Sequence, residues 1–186
     1  LLAEQEAAEE DREKPGCPGT VRSHDEGRPG WYRGFLARGP GAGHRDDDGG
    51  TAAGSLRLFP GSSIGLSSSP VTTIHGEAEG ENLGLYTYRF GAGDLDGDGK
   101  DDLVVGIPTD DTTGGDAGKI IVYMGTSSFL PTYISETLYG EVAGDRFGES
   151  VAVSDVNGDG FADVIVGAPN NDDGSTDAGK VYVFEG

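Results

Sequence analysis

Nine residues, Asp94-Leu-Asp-Gly-Asp-Gly-Lys-Asp-Asp102, return later in the chain as Asp155-Val-Asn-Gly-Asp-Gly-Phe-Ala-Asp163. Both copies fit D-x-[DN]-G-D-G-x-x-D, which puts oxygen-bearing side chains at loop positions 1, 3, 5 and 9 and glycine at 4 and 6. Four such groups packed this closely repel one another until a hard cation joins them. Ca²⁺, with its roughly 6–8 oxygen ligands, suits such a set. An acidic hairpin with no ion is the plainer reading of a single copy. Recurrence in register favours the metal, because the spacing has a mechanism and repeats it.

The flanks decide what kind of calcium loop this is. An EF-hand also opens D-x-D-x-D-G, but it needs a Glu at about position 12 and a helix on each side. Position 12 here is Val105 in the first copy and Val166 in the second. The following residues, Leu103-Val-Val-Gly-Ile107 and Val164-Ile-Val-Gly-Ala168, are short β-branched runs that stop at Pro108 and Pro169. Such runs predict strands. The motif is therefore a strand-loop-strand turn closed by its ninth-position Asp. Its seventh residue, Lys100 or Phe161, is expected to offer a backbone carbonyl.

The repetition reaches well beyond the loops. A slide of 61 residues lays Asp94–Gly125 onto Asp155–Gly186, matching Val105-Gly-Ile-Pro108 with Val166-Gly-Ala-Pro169. It also matches Ala117-Gly-Lys119 with Ala178-Gly-Lys180. A slide of 64 lays Gly54–Gly61 onto Gly118–Gly125 and Gly76–Gly84 onto Gly140–Gly148, the first copy being three residues longer between Leu83 and Asp94. Each unit holds four strand candidates: Phe147–Val153, Asp163–Ala168, Lys180–Phe184, and a fourth seen at Pro131–Tyr139 and Pro70–His75. Val164-Ile-Val166 and Val181-Tyr-Val-Phe184 are apolar at consecutive positions, so both faces of those strands should be covered. Four-stranded repeats buried on both faces are what a β-propeller blade requires. An ordinary β-sandwich is the alternative, but it gives no reason for one loop to recur at one place.

Phe147-Gly148, then the acidic loop, then Gly167-Ala168-Pro169 resembles the FG-GAP repeat, which builds the N-terminal propeller of integrin α subunits and many bacterial surface proteins. The earlier copy departs from it with Leu83-Gly84 and Gly106-Ile107-Pro108, apolar for apolar. The resemblance covers roughly residues 46 to 186. It implies an all-β partial β-propeller of two to three four-stranded antiparallel blades, with calcium loops joining first and second strands on the lower rim. Carried over residue by residue, it implies Ca²⁺ ligands Asp94, Asp96, Asp98, Lys100 (carbonyl) and Asp102, then Asp155, Asn157, Asp159, Phe161 (carbonyl) and Asp163. That is one ion per complete loop, two in all. The acidic loops Asp46–Gly50, Thr109–Asp116 and Asn170–Asp177 would lie on the upper rim, where integrins meet ligands. They are either solvated turns or a surface for a protein or glycan partner.

The expected organisation is an irregular segment at 1–45, the end of one blade at 46–82, a complete blade at 83–146, and a blade lacking its last strand at 147–186. A propeller needs at least four blades, so the chain reads as a fragment whose further blades come from the same protein. Residues 1–14 could form a short helix, and 15–45 are rich in Gly, Pro and Arg without periodicity. A disordered linker is one origin for that stretch. A reading-frame slip is another. Shifting codons by one base over Trp31–Pro40 permits Gly-Ile-Ala-Asp-Phe-Leu-Leu-Val-Gly-Pro, close to Gly160–Pro169. The coding DNA decides between them.

Charge and composition bound the partners. The net charge is −20, and residues 54–186 hold 22 acidic against 6 basic residues. That balance excludes a basic nucleic-acid footprint. No apolar run approaches the roughly 20 residues of a membrane span, and Leu1–Lys14 lacks the basic start and apolar core of a signal peptide. Cys17 is the single cysteine, so disulfides do not staple the repeats and calcium is the expected staple. Extracellular calcium modules bind with Kd on the order of 10⁻⁴–10⁻³ M, which points outside the cell. His24, His44 and His75 are scattered, and the closely paired acids belong to the loops already described. No catalytic site is expected. Calcium-dependent adhesion or ligand recognition is the leading reading. A propeller module of a secreted hydrolase or phospholipase, and a pure scaffold, are the alternatives.

Overall fold

The computed structural model describes residues 20–22, 33–38, 52–62, 65–84, 86–126 and 134–186. The strands are β1 (Thr20–Arg22), β2 (Arg33–Arg38), β3 (Ser55–Ser62), β4 (Gly65–Leu66), β5 (Thr72–His75), β6 (Phe90–Gly93), β7 (Asp102–Ile107), β8 (Lys119–Tyr123), β9 (Ile134–Tyr139), β10 (Ser150–Ser154), β11 (Asp163–Ala168) and β12 (Lys180–Phe184). A 3₁₀ turn at Thr87–Arg89 precedes β6. All pairings between strands are antiparallel. They make three successive meanders: β1-β2-β3-β5, with β4 folded back on β3, then β6-β7-β8-β9, then β10-β11-β12. The fold is the expected all-β stack of propeller-type sheets, and it does not close into a ring.

β-Strand side chains alternate between faces, and the middle sheet uses both. Leu103, Val105, Ile107, Ile121 and Tyr123 pack with Leu56, Leu58 and Leu83 of the preceding repeat. Val104, Ile120 and Val122 pack instead with Phe147, Val151, Val164 and Val166 of the next. Every residue of β7 and β8 is buried in consequence. Among the described residues β12 packs against a neighbour on one face, and Val181 and Val183 stand 66% and 55% exposed on the other.

The Phe-Gly and Leu-Gly positions are where one repeat enters the next. The Phe147 amide donates to the Ala117 carbonyl at 3.0 Å, and the Leu83 amide to that of Ala53 at 2.8 Å. Gly118 lies at φ +86°, and a Cβ there would collide with the Phe147 carbonyl, so the Ala-Gly pair of the repeat is needed for this approach. Phe147 then lies edge-on against Tyr182 at 5.0 Å and Phe184 at 6.3 Å between ring centroids. Burying a side chain of this size contributes roughly 1.5–3 kcal/mol, which makes the motif an adhesive between sheets.

β1 and β2 fall inside residues 1–45, the stretch whose sequence carries no periodicity. Arg33–Arg38 has no apolar alternation, yet it pairs residue by residue with Ser55–Pro60. The reason is non-local: the free edge of β3 offers a ladder of N–H and C=O groups, and pairing to an edge depends less on intrinsic strand preference than on that ladder. The proposed helix at 1–14, Cys17, His24, His44 and the acidic loop Asp46–Gly50 lie outside the described residues. No helix among the described residues is long and apolar enough to cross a membrane.

Candidate metal centre

The two acidic loops occupy equivalent turns, Asp94–Asp102 between β6 and β7 and Asp155–Asp163 between β10 and β11. Their local folding follows one rule. Each donor side chain accepts a backbone N–H a few residues on, as Asp and Asn do in turns. Gly99 donates to Asp94 at 2.8 Å, Asp98 to Asp96 at 3.0 Å and Lys100 to Asp98 at 2.9 Å. In the second loop Gly160 donates to Asp155 at 3.0 Å, Asp159 to Asn157 at 2.9 Å and Phe161 to Asp159 at 2.9 Å. The fold of each loop is thus written into nine consecutive residues.

The ninth-position Asp does something more. Asp102 is buried, and its carboxylate accepts from Leu95 N–H at 2.8 Å and from Gly125 N–H at 2.7 Å. Asp163 repeats this with Val156 at 2.8 Å and Gly186 at 3.2 Å. Each Asp ties its loop to the residue that leaves the third strand. Burial pushes the Asp102 carboxyl above its ordinary pKa, the N–H groups of Gly125 and Leu95 pull it back, and Asp96 and Asp94 push it up again.

In the first loop, oxygens of Asp94, Asp96 and Asp102 lie within 4.8 Å of one another. Asp94 Oδ1 is buried without a hydrogen-bond partner. An unsatisfied buried carboxylate oxygen is costly, and a cation is the group that would satisfy it. Asp98 lies apart from these three, with its carboxylate held by the Lys100 ammonium. That contact raises the Lys100 pKa. Lys100, at the seventh position, is a tethered cation placed beside the nearest carboxylate. In the second loop the third donor is a carboxamide, Asn157, whose Nδ2 donates to Asp159 at 2.9 Å.

Residues 86–123 and 147–184 match the family model of the FG-GAP repeat. The chain carries two FG-GAP repeats. FG-GAP repeats are β-propeller blades, which agrees with the stacked meanders. The chain is 40% identical over 120 residues to integrin alpha-4 of Xenopus laevis, covering 61% of this chain and 11% of that protein. It is 35% identical over 103 residues to integrin alpha-PS2 of Drosophila melanogaster, covering 52% and 7%. It is 37% identical over 109 residues to human integrin alpha-IIb, covering 54% and 10%. The chain therefore spans about a tenth of the length of these relatives.

Within the FG-GAP frame, several upper-loop residues escape sequence reasoning. Lys119 is buried and reaches Asp110 at 2.9 Å, Glu81 at 3.3 Å and Glu77 at 3.8 Å, so a charge on the third strand clasps the segment that enters the repeat. Asp110 lies in the Thr109–Asp116 loop, which thereby serves packing as well as exposure. Asn171, its counterpart in the next repeat, is buried and donates to Asp145 at 2.7 Å. Arg89 reaches Glu149 of the following repeat at 2.6 Å. The three extra residues after Leu83 carry Tyr86 and Tyr88, exposed and stacked at 5.1 Å, with the Arg89 guanidinium 4.4 Å from the Tyr86 ring. The one signal available was the repeated Ala-Gly-Lys, whose charge gave no hint of what it meets.

Proposed function

We propose that this chain is a calcium-binding, extracellular segment of an FG-GAP β-propeller that serves cell adhesion or ligand recognition and performs no catalysis. The observation that carries the metal half is the Asp94 oxygen left buried and unpaired within the Asp94–Asp96–Asp102 cluster. Asp94, Asp96, Asp98, Asp102 and the Lys100 carbonyl hold one Ca²⁺, with Lys100 releasing Asp98. Asp155, Asn157, Asp159, Asp163 and the Phe161 carbonyl hold a second. The ions neutralise clustered charge and brace the turn on which the next strand starts. The blades run 46–82, 83–146 and 147–186, and the open face at Val181 and Val183 takes a further blade of the same protein.

The adhesion half rests on the likeness to integrin alpha chains. Asp172 and Asp173 are exposed on the opposite end of the repeat from the calcium loops and suit a cationic or glycan ligand. At a tenfold excess over its Kd, each Ca²⁺ is expected to add about 1.4 kcal/mol of stability. Thermal unfolding in calcium and in chelator checks this, with Asp98→Ala and Asp159→Ala each losing one increment. Calorimetry that shows no heat of Ca²⁺ binding, with Asp159→Ala melting like the wild type in calcium, would falsify the metal assignment. The rim is tested separately by coating the chain on a surface and measuring cell or protein capture. Unchanged capture by a variant with Asp172→Asn and Asp173→Asn discards the acidic rim as the contact.

A further inference from the structure

The two loops touch each other. The Ala162 amide, at position 8 of the second loop, donates to the Asp94 carbonyl, at position 1 of the first, at 2.9 Å. The Phe161 ring, at position 7 of the second loop, lies over Gly97 of the first: a Cβ on Gly97 would sit 2.5 Å from Phe161 Cε1 and 3.1 Å from Cδ1. Gly97 lies at φ +73°, so glycine serves there both the turn and the ring. Gly186 completes the seam, since a Cβ on it would lie 2.8 Å from the Leu95 carbonyl and 3.1 Å from Phe161 Cβ. A position whose carbonyl is a donor in one loop thus presses its side chain on the backbone of the other.

We propose that the two loops bind Ca²⁺ cooperatively, with Phe161 and the Ala162 amide transmitting order from one to the other. This rests on the calcium reading above. Drawing the donors of the second loop together fixes the backbone at Phe161 and Ala162. Through the ring on Gly97 and the hydrogen bond to Asp94, the first loop then has less freedom left to lose. A site whose ordering cost is already met binds more tightly with no new ligand. By linkage the first loop favours the second by the same factor. Repulsion between the ions is moderated because the first loop holds five Asp and one Lys and the second three Asp, so each stays negative after binding one Ca²⁺.

The test is Ca²⁺ titration of the full chain by calorimetry, alongside Asp98→Ala and Asp159→Ala, which leave one working loop each. The wild type is expected to bind two ions with a Hill slope above one. Each isolated loop should bind about fivefold more weakly than its coupled form. Phe161→Ala keeps the backbone carbonyl and the Ala162 amide and should still bind two ions, but with constants that fall toward those of the isolated loops. Phe161→Leu, which keeps an apolar contact on Gly97, should recover part of the coupling, and melting in chelator confirms that both variants fold. Two ions bound by the wild type with the constants of the single-loop variants overturn the coupling and leave the metal reading standing. Coupling that survives intact in Phe161→Ala overturns the assigned route. No Ca²⁺ bound by the wild type removes the metal reading and the coupling with it.

Discussion

Replacing Lys119 with methionine is expected to cost about 3–5 kcal/mol of folding stability. The Lys119 side chain is 8% exposed, and its partners Glu81 and Asp110 are 3% and 9% exposed. Methionine fills similar space but leaves two carboxylates in a dry seam with no counter-charge, and an uncompensated buried charge dominates the cost. Lys180 occupies the same place one repeat later. Its side chain is 33% exposed, and its partners Glu141 and Asp173 are 53% and 62% exposed. Solvent already screens that trio, so Lys180→Met should cost only about 0–1 kcal/mol. Denaturant unfolding of both variants reads the difference as a shift in midpoint at unchanged slope. Equal losses for the two would show that burial does not set the worth of the clasp.

The same clasp sets a pH dependence. Burial pushes the Asp110 carboxyl up, but hydrogen bonds from Lys119 and Thr112 and the Lys119 charge outweigh it, leaving the pKa below 3.8. A depressed carboxylate stabilises the fold above its unfolded pKa, and that contribution fades as pH falls through the folded value. Burial pushes Lys119 down, yet Asp110 and Glu81 leave it above 10.5. A raised lysine contributes fully below its unfolded pKa and loses that contribution as pH climbs through the folded one. The clasp is therefore intact through neutrality, and Lys119→Met should flatten the acid limb of the stability profile that begins below about pH 4.

Asp102→Ala is the second large effect, expected at about 3 kcal/mol even in chelator. Its two oxygens accept from Leu95 and Gly125, and the side chain is 2% exposed. Each N–H left without a partner costs about 1–3 kcal/mol, and the truncated side chain leaves a void besides. Asp98→Ala should behave differently: the residue is exposed and its contacts to Lys100 are screened by solvent, so its loss should matter mainly when calcium is present. Melting both variants with and without calcium separates a brace from a ligand. If Asp102→Ala melts like the wild type in chelator, the ninth-position Asp is a ligand alone.

Much of this was legible in the primary structure. The runs Leu103–Ile107 and Val164–Ala168 are the strands they promise to be; the consecutive apolar residues of the first face two neighbouring sheets, whereas Val164, Val166 and Ala168 face the one sheet that precedes them among the described residues. Two short periodic runs separated by Asp, Asn and Gly leave the chain few local alternatives. Arg33–Arg38 was not legible, because its strand state is set by the edge of β3, a segment well removed in sequence. Nor was the tie between Asp98 and Lys100 visible from motif spacing, which places both as donors and says nothing of competition between them.

By itself the sequence determined the nine-residue loops, since Asp, Asn and Gly at fixed intervals fold back on their own amides over covalent distances. It also determined the repeat, and with it the family of sheets. The tertiary structure alone decided what each copy of a shared residue is worth. Lys119 and Lys180 have the same local sequence, but only Lys119 is buried among its carboxylates. Phe161 and Lys100 hold the same loop position; Phe161 rests on a neighbouring loop, at Gly97, and Lys100 on the Asp98 carboxylate of its own loop. Spacing along the chain sets which atoms a residue can reach locally, whereas burial and cross-repeat contact depend on the neighbour that packs against it.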